Sequence, residues 1–234
     1  MNLLILSLAP VFVIGGYVYF RDKYEKEPLK LLILALLVGA LTVIPVLFVE
    51  TFLDGFSSFF PGLTEAAWKA FMVAGFTEEL FKYLALYLLI WKSPEFNEKF
   101  DGIVYAVFVS LGFAGVENVL YVTQGGLATG ISRAITAVPA HAIFGVTMGF
   151  YFGMAKFFEK DQNQLKRKAL LYPVLLHGIY DFILFTGIAW LTIIFVGFLG
   201  FLYLSAFKRM KTLSKQSIYN TDYNLLNDKF SKPN

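Results

Sequence analysis

The sequence has no cysteine. Disulfides, iron–sulfur clusters and cysteine-ligated zinc are therefore excluded. Charge is scarce as well. Asp, Glu, Lys and Arg make up 16% of the 234 residues, where a soluble domain carries about 25%. Histidine occurs only twice, and no HExxH pair, internal repeat or low-complexity tract is present. Apolar residues fill the chain instead: 57% is hydrophobic, with 26 Phe, 13 Tyr and 3 Trp, and mean hydropathy is +0.63. A soluble globule of this size cannot cover so much apolar surface, so a soluble enzyme is excluded, and intrinsic disorder is excluded by the same composition.

The apolar residues fall into runs long enough to cross a bilayer, which takes roughly 20 residues as helix. Seven runs stand out, at about 3–20, 29–49, 69–91, 102–122, 135–157, 169–186 and 188–207. The expected fold is all-α, a polytopic transmembrane helix bundle of about seven spans. Residues 1–207 form one domain and 208–234 a polar cytoplasmic tail. The first run has neither a preceding basic residue nor a small-residue cleavage site, so it reads as a span that stays in place. The linkers are too short to fold alone, so any chemistry must take place among the spans. Lys and Arg favour cytoplasmic loops. Here they gather on alternate linkers: Arg21, Lys23, Lys26 and Lys30; Lys92 and Lys99; Lys156, Lys160, Lys166, Arg167 and Lys168; Lys208, Arg209, Lys211 and Lys215. This pattern puts the N-terminus outside and the C-terminus inside. Because the cations follow topology and form no single face, nucleic acid is not an expected partner.

Polar groups inside the spans carry the functional information, because a charge at the bilayer centre costs about 2.5–3.5 kcal/mol on insertion scales. The third run contains Glu78, Glu79 and Lys82, the fourth Glu117, the fifth His141, and the sixth His177 and Asp181. Glu78 and Lys82 are i,i+4 and share a helix face, as do His177 and Asp181. Glu79 is turned about 100° from Glu78, so Lys82 is expected to hold one carboxylate while the other faces a cavity. His141 opens a stripe with Gly145, Gly149 and Gly153 that lets another helix approach closely. With the topology above, all of these groups fall in the middle-to-outer half of the bilayer. Singly they have bland readings: an ion pair along one helix, a helix-end polar pair at Glu117, packing histidines. A shared depth on four spans points to a functional site. A proton-coupled transporter or channel is one alternative, and a non-catalytic membrane binding protein is another.

Three motifs carry a family resemblance. Glu78-Glu79-Leu80-Phe81-Lys82 fits EExxK, Phe113 to Glu117 fits FxxxE, and His177 to Asp181 fits HxxxD, with His141 between the last two. In this order, over residues 75–185, the chain resembles the PrsW intramembrane proteases. It is more distantly similar to the CAAX prenyl endopeptidases and bacteriocin-immunity proteins, whose first motif is EExxxR. The resemblance implies a multi-pass protein of the bacterial cell membrane. It would make the first, extracytoplasmic-side cut in a single-pass anti-sigma factor and so activate a sigma factor under stress. By motif position Glu78, Glu79 and His177 are essential, with His141, Glu117, Asp181 and Lys82 completing the site. Two mechanisms stay open. In one, Glu79 or Glu78 is a general base, a histidine stabilises the oxyanion and Asp181 fixes the His177 tautomer. In the other, a divalent metal such as zinc is held by His141, His177, Asp181 or Glu79. The absence of HExxH favours the scheme without a cofactor. Substrate identity, activating signal and oligomeric state are not legible.

Overall fold

The structure, a computed structural model, describes residues 3–220. Their regular structure is entirely helical, with no strand among them. In chain order the helices are α1 (Leu3–Arg21), α2 (Leu29–Leu41), α3 (Val43–Asp54), the short α4 (Leu63–Ala67), α5 (Thr77–Ile90), α6 (Lys99–Ile135), α7 (Ala137–Phe157), α8 (Gln162–Phe185) and α9 (Leu191–Lys215). A π-helical stretch, Trp68–Phe76, joins α4 to α5. Among the described residues five stretches qualify as membrane spans by length and apolarity: Leu3–Arg21, Leu29–Phe59, Lys99–Phe157, Glu159–Phe185 and Leu191–Lys215. The 59-residue stretch doubles back at Gly126, inside α6, and α7 continues the returning limb after Thr136. The run at 69–91 is not among the five.

The hub is α6. From Phe100 to Gly115 every residue is buried, and the helix packs against α1, α2 and α7. A helix apolar on all sides is expected at the centre of a bundle. Close packing depends on small residues. A Cβ on Gly149 would stand 2.2 Å from the Gly102 carbonyl oxygen, so α7 meets α6 backbone to backbone. The stripe read from the sequence is thus a helix seam, and His141 lies in it, 4% exposed. The outer surface is apolar: Leu88, Ile193 and Phe48 are 83%, 78% and 76% exposed. In water such a surface would drive aggregation, whereas in lipid it is the expected exterior.

Two boundaries differ from expectation. The Gly-rich stretch after Thr123 is not a simple linker. α6 breaks at Gly126, where φ is +70°, and then resumes helically to Ile135. Glycine has no Cβ and adopts this conformation without strain. At the other end α9 continues to Lys215, beyond the expected boundary at 207. The remaining tail, 221–234, lies outside the described residues.

Candidate active site

All seven side chains singled out in the sequence meet in one contiguous cluster. Its base is the first turn of α5. Lys82 Nζ donates to Glu78 Oε2 at 2.9 Å and to Glu79 Oε1 at 2.9 Å. Glu78 and Glu79 are therefore not split between lysine and cavity as their helical angles suggested. The lysine stem is long enough to span i−4 and i−3 together, and its fully buried ammonium binds both acids. Lys82 Nζ also lies 3.2 Å from His141 Nδ1 and 4.0 Å from the centre of the Phe113 ring. The two carboxylates still differ in access. Glu78 lines the adjoining cavity, whereas Glu79 is 0% exposed and its Oε2 has no hydrogen-bond partner.

The histidines arrive from two other helices. On α7, His141 pairs through Nε2 with Glu117 Oε2 of α6 at 2.8 Å. On α8, His177 lies between two carboxylates, with Glu79 Oε1 3.0 Å from Nδ1 and Asp181 Oδ2 3.2 Å from Nε2. The i,i+4 pairing of His177 with Asp181 follows the sequence reading. The imidazole rings are 5.3 Å apart, nearly perpendicular. α8 comes this close because Gly178 presents no side chain to the π-helical stretch. A Cβ there would stand 2.1 Å from the Phe71 ring. The wide π turn directly precedes Thr77, whose hydroxyl donates to the Met72 carbonyl five residues back. π-Helical turns are rare and often sit at functional sites.

Two groups at this site were not singled out from sequence. Arg133, just before the α6–α7 junction, donates from a terminal guanidinium nitrogen to Glu117 Oε2 at 2.8 Å and from Nε to Asn118 Oδ1 at 2.9 Å. Its position in a Gly-rich stretch suggested a loop cation, and only the return of the chain after Gly126 brings it back. Glu50 on α3 lines the same cavity as Glu78, Glu117, His141, His177 and Asp181. In the sequence it opens the acidic linker that follows the run at 29–49 and has no helical spacing to the motifs. The cavity holds about 630 Å³, and Asp54, Lys69 and Ser132 are also among its lining residues.

A metal can be tested against these donors. Glu78, Glu79, His141 and His177 each offer a ligand atom within 4.8 Å of the others, and all four are buried. Two imidazoles and two carboxylates suit zinc or a similar divalent ion. The unpartnered Glu79 Oε2 is an oxygen the protein leaves for a further bond. The donor set therefore fits, with Glu78 in it. Asp181, a metal candidate from sequence, stands on His177 Nε2, the ring nitrogen that Glu79 does not contact, as an orienting partner. The ammonium of Lys82 contacts three of the four donors.

Comparison with known proteins identifies the lineage. Residues 27–207 match the model of a family described as PrsW family intramembrane metalloprotease. "Protease PrsW" of Oceanobacillus iheyensis is 36% identical over 220 residues, covering 94% of this chain and 100% of its own. "Protease PrsW" of Geobacillus kaustophilus is 39% identical over 190 residues, 81% of this chain and 82% of its own. "Protease PrsW" of Bacillus subtilis is 38% identical over 184 residues, 76% and 80%. No solved structure matches the chain. The metalloprotease description runs against the sequence-based preference for a cofactor-free scheme and agrees with the donor set above. With the family model spanning most of the sequence, the chain belongs to the PrsW family and is a multi-pass peptidase of the bacterial membrane.

Proposed function

We propose that this peptidase cuts a single-pass membrane protein on the side of the bundle remote from its basic loops, as the first step in destroying a membrane-anchored anti-sigma factor and releasing its sigma factor. In this reading the chain crosses the membrane seven times, N-terminus outside and C-terminus inside. The supporting observation is the convergence of Glu78, Glu79, Lys82, Glu117, His141, His177 and Asp181 from four helices beside one cavity. Lipid alone gives these groups no reason to share a place.

The chemistry needs an activated water, a stabilised oxyanion and a proton for the leaving amine. Three of the four candidate donors, Glu79, His141 and His177, would hold a divalent metal, which when bound would acidify water and polarise the scissile carbonyl, leaving Glu78 unligated beside the cavity. Glu78, facing the cavity, is placed to accept a proton from water and return it to the amine. His177 is held by Asp181 at Nε2 and turned by it toward the carboxylates. Glu117 orients His141 and is itself fixed by Arg133. Lys82 neutralises the paired acids.

The test is cleavage of a purified single-pass substrate in reconstituted vesicles. Glu78→Gln, Glu79→Gln and His177→Ala are each expected to lower the rate by ~10²-fold or more while the protein still inserts. Full activity in Glu78→Gln would remove the base assigned here. Proton flux with no peptide product would replace the protease reading with a transporter.

A further inference from the structure

A second polar cluster lies at the opposite end of the bundle, among the basic loops. The α1–α2 connection brings Asp22, Glu25 and Glu27 against Asn97, Glu98 and Asp101 at the start of α6. Asp22, Glu27, Glu98 and Asp101 are at most 4% exposed. The connections are specific. Asn97 Nδ2 donates to Glu25 Oε1 at 3.0 Å. The backbone N–H groups of Asn97 and Glu98 donate to Asp101 Oδ2 at 2.9 and 2.7 Å. The Tyr105 hydroxyl donates to Glu27 and the Ser217 hydroxyl to Glu98. Glu27 and Asp101 meet carboxyl to carboxyl, within hydrogen-bonding reach.

After these bonds, oxygens are left over. Asp22 Oδ2, Glu25 Oε2, Asn97 Oδ1 and Asp101 Oδ1 are buried without a donor. Only two other buried side-chain polar atoms among the described residues lack a partner. All four are acceptors, and Asp22 and Asp101 are 1% and 0% exposed. Glu25 and Asp101 each have one oxygen anchored and the other presented, as in ligands oriented by an outer ring of hydrogen bonds. Lys26 Nζ, whose charge reaches Asp22, donates to the Tyr19 and Asp22 carbonyls and to none of these oxygens. Buried acceptors without donors are costly, and adjacent carboxylates repel unless something positive joins them.

We infer that this end of the bundle binds a hard divalent cation, ligated by carboxylate and amide oxygens of Asp22, Glu25, Glu27, Asn97 and Asp101. An all-oxygen set without imidazole or sulfur selects Ca²⁺ or Mg²⁺ over zinc. These acids are more spread than the membrane-level group, which alone among the described residues brings three or more acid or imidazole ligand atoms within 4.8 Å. Oxygens bound to one Ca²⁺ at roughly 2.3–2.6 Å stand within about 5 Å of one another, so these acids must draw together as the ion enters, which the 6–8 flexible ligands of Ca²⁺ allow better than the strict octahedron of Mg²⁺. The site is distinct from the peptidase centre: Asp101 and Glu117 are separated along α6 by roughly 24 Å at the helical rise per residue. A bound ion would clamp the α1–α2 connection to α6 and, through Glu98 and Ser217, to the end of α9.

The experiment uses the full chain in nanodiscs, stripped with chelator and titrated with Tb³⁺, a Ca²⁺ substitute excited through nearby tyrosine such as Tyr105. Ca²⁺ should displace the signal, and Mg²⁺ only at higher concentration. Asp22→Asn with Glu25→Gln, both close to isosteric, should weaken binding about tenfold or more. Glu79→Gln should leave it unchanged, which separates this site from the membrane-level donors. Millimolar Ca²⁺ should raise the unfolding temperature of the unmodified chain and not of the double variant, a control on folding. Equal Tb³⁺ affinity in both would overturn the inference. So would loss of the signal in Glu79→Gln alone, or stabilisation by acid with no response to Ca²⁺, which would mean that a shared proton joins the carboxyl groups.

Discussion

At the scale of single residues, Lys82 is held from several sides at once. Its ammonium is fully buried and sits among Glu78, Glu79 and His141, three of the four donors that suit a metal. Lysine and a divalent ion therefore compete for the same atoms. Removing one partner of a buried ion pair leaves an uncompensated charge and costs about 3–5 kcal/mol. Lys82→Met, similar in length, should destabilise chelator-treated protein by that order. Zn²⁺ should restore more stability to the variant than to the unmodified chain, because it enters donors that lysine has vacated. Thermal unfolding with and without Zn²⁺ checks this. Equal Zn²⁺ stabilisation of both would mean that lysine and metal do not share donors. The i+3 and i+4 spacings from Glu79 and Glu78 made Lys82 legible as a partner. Its binding of both acids was not legible, because helical angles describe where Cβ points and not how far a four-carbon stem reaches. Arg133 and Glu50 escaped for a different reason. Their place depends on the chain's path through space, and neither has a periodic relation to the motifs.

At the scale of elements, the site is set by how closely helices approach. The seam of α6 with α7 relies on Gly149, where a Cβ would meet the Gly102 carbonyl at 2.2 Å. That atom is backbone and cannot swing aside. Gly149→Ala should push the helices apart, destabilise by about 1–3 kcal/mol and lengthen the 2.8 Å contact of His141 with Glu117. Cleavage should fall more than stability alone explains, and residual activity measured well below the unfolding temperature separates the two effects. Activity and stability both unchanged would show that the seam tolerates a methyl and does not position His141. The stripe of glycines at every fourth position was legible, since helical periodicity is local. The π-helical stretch before Thr77 and the break at Gly126 were not. Both depend on what packs against them: α8 at Gly178 in the first case, and the return of Arg133 to Glu117 in the second.

At the scale of the whole molecule, buried charge is concentrated at two ends of one bundle, and the end among the basic loops gives a pH dependence of known sign. Burial, with the neighbouring acids, raises the Asp22 carboxyl to about 7, and burial raises that of Glu27 to about 7. In the unfolded chain such groups titrate near 4. The folded state therefore prefers their protonated forms. Their contribution to stability is complete below about pH 4 and is lost as pH rises toward 7. Asp22→Asn with Glu27→Gln keeps the shape and removes the titration. Compared in chelator, the variant and the unmodified chain should unfold at similar temperatures near pH 4, and the variant should be the more stable at pH 8. One kcal/mol moves the midpoint by about 2–4 °C in a chain of this size, and the gap at pH 8 should reach at least that. With Ca²⁺ in excess the gap should narrow, because a cation neutralises in the unmodified chain what the amides neutralise in the variant. A gap that shrinks as pH rises would reverse the sign and mean that these carboxylates are held ionised by the surrounding lysines, with no need of either proton or cation.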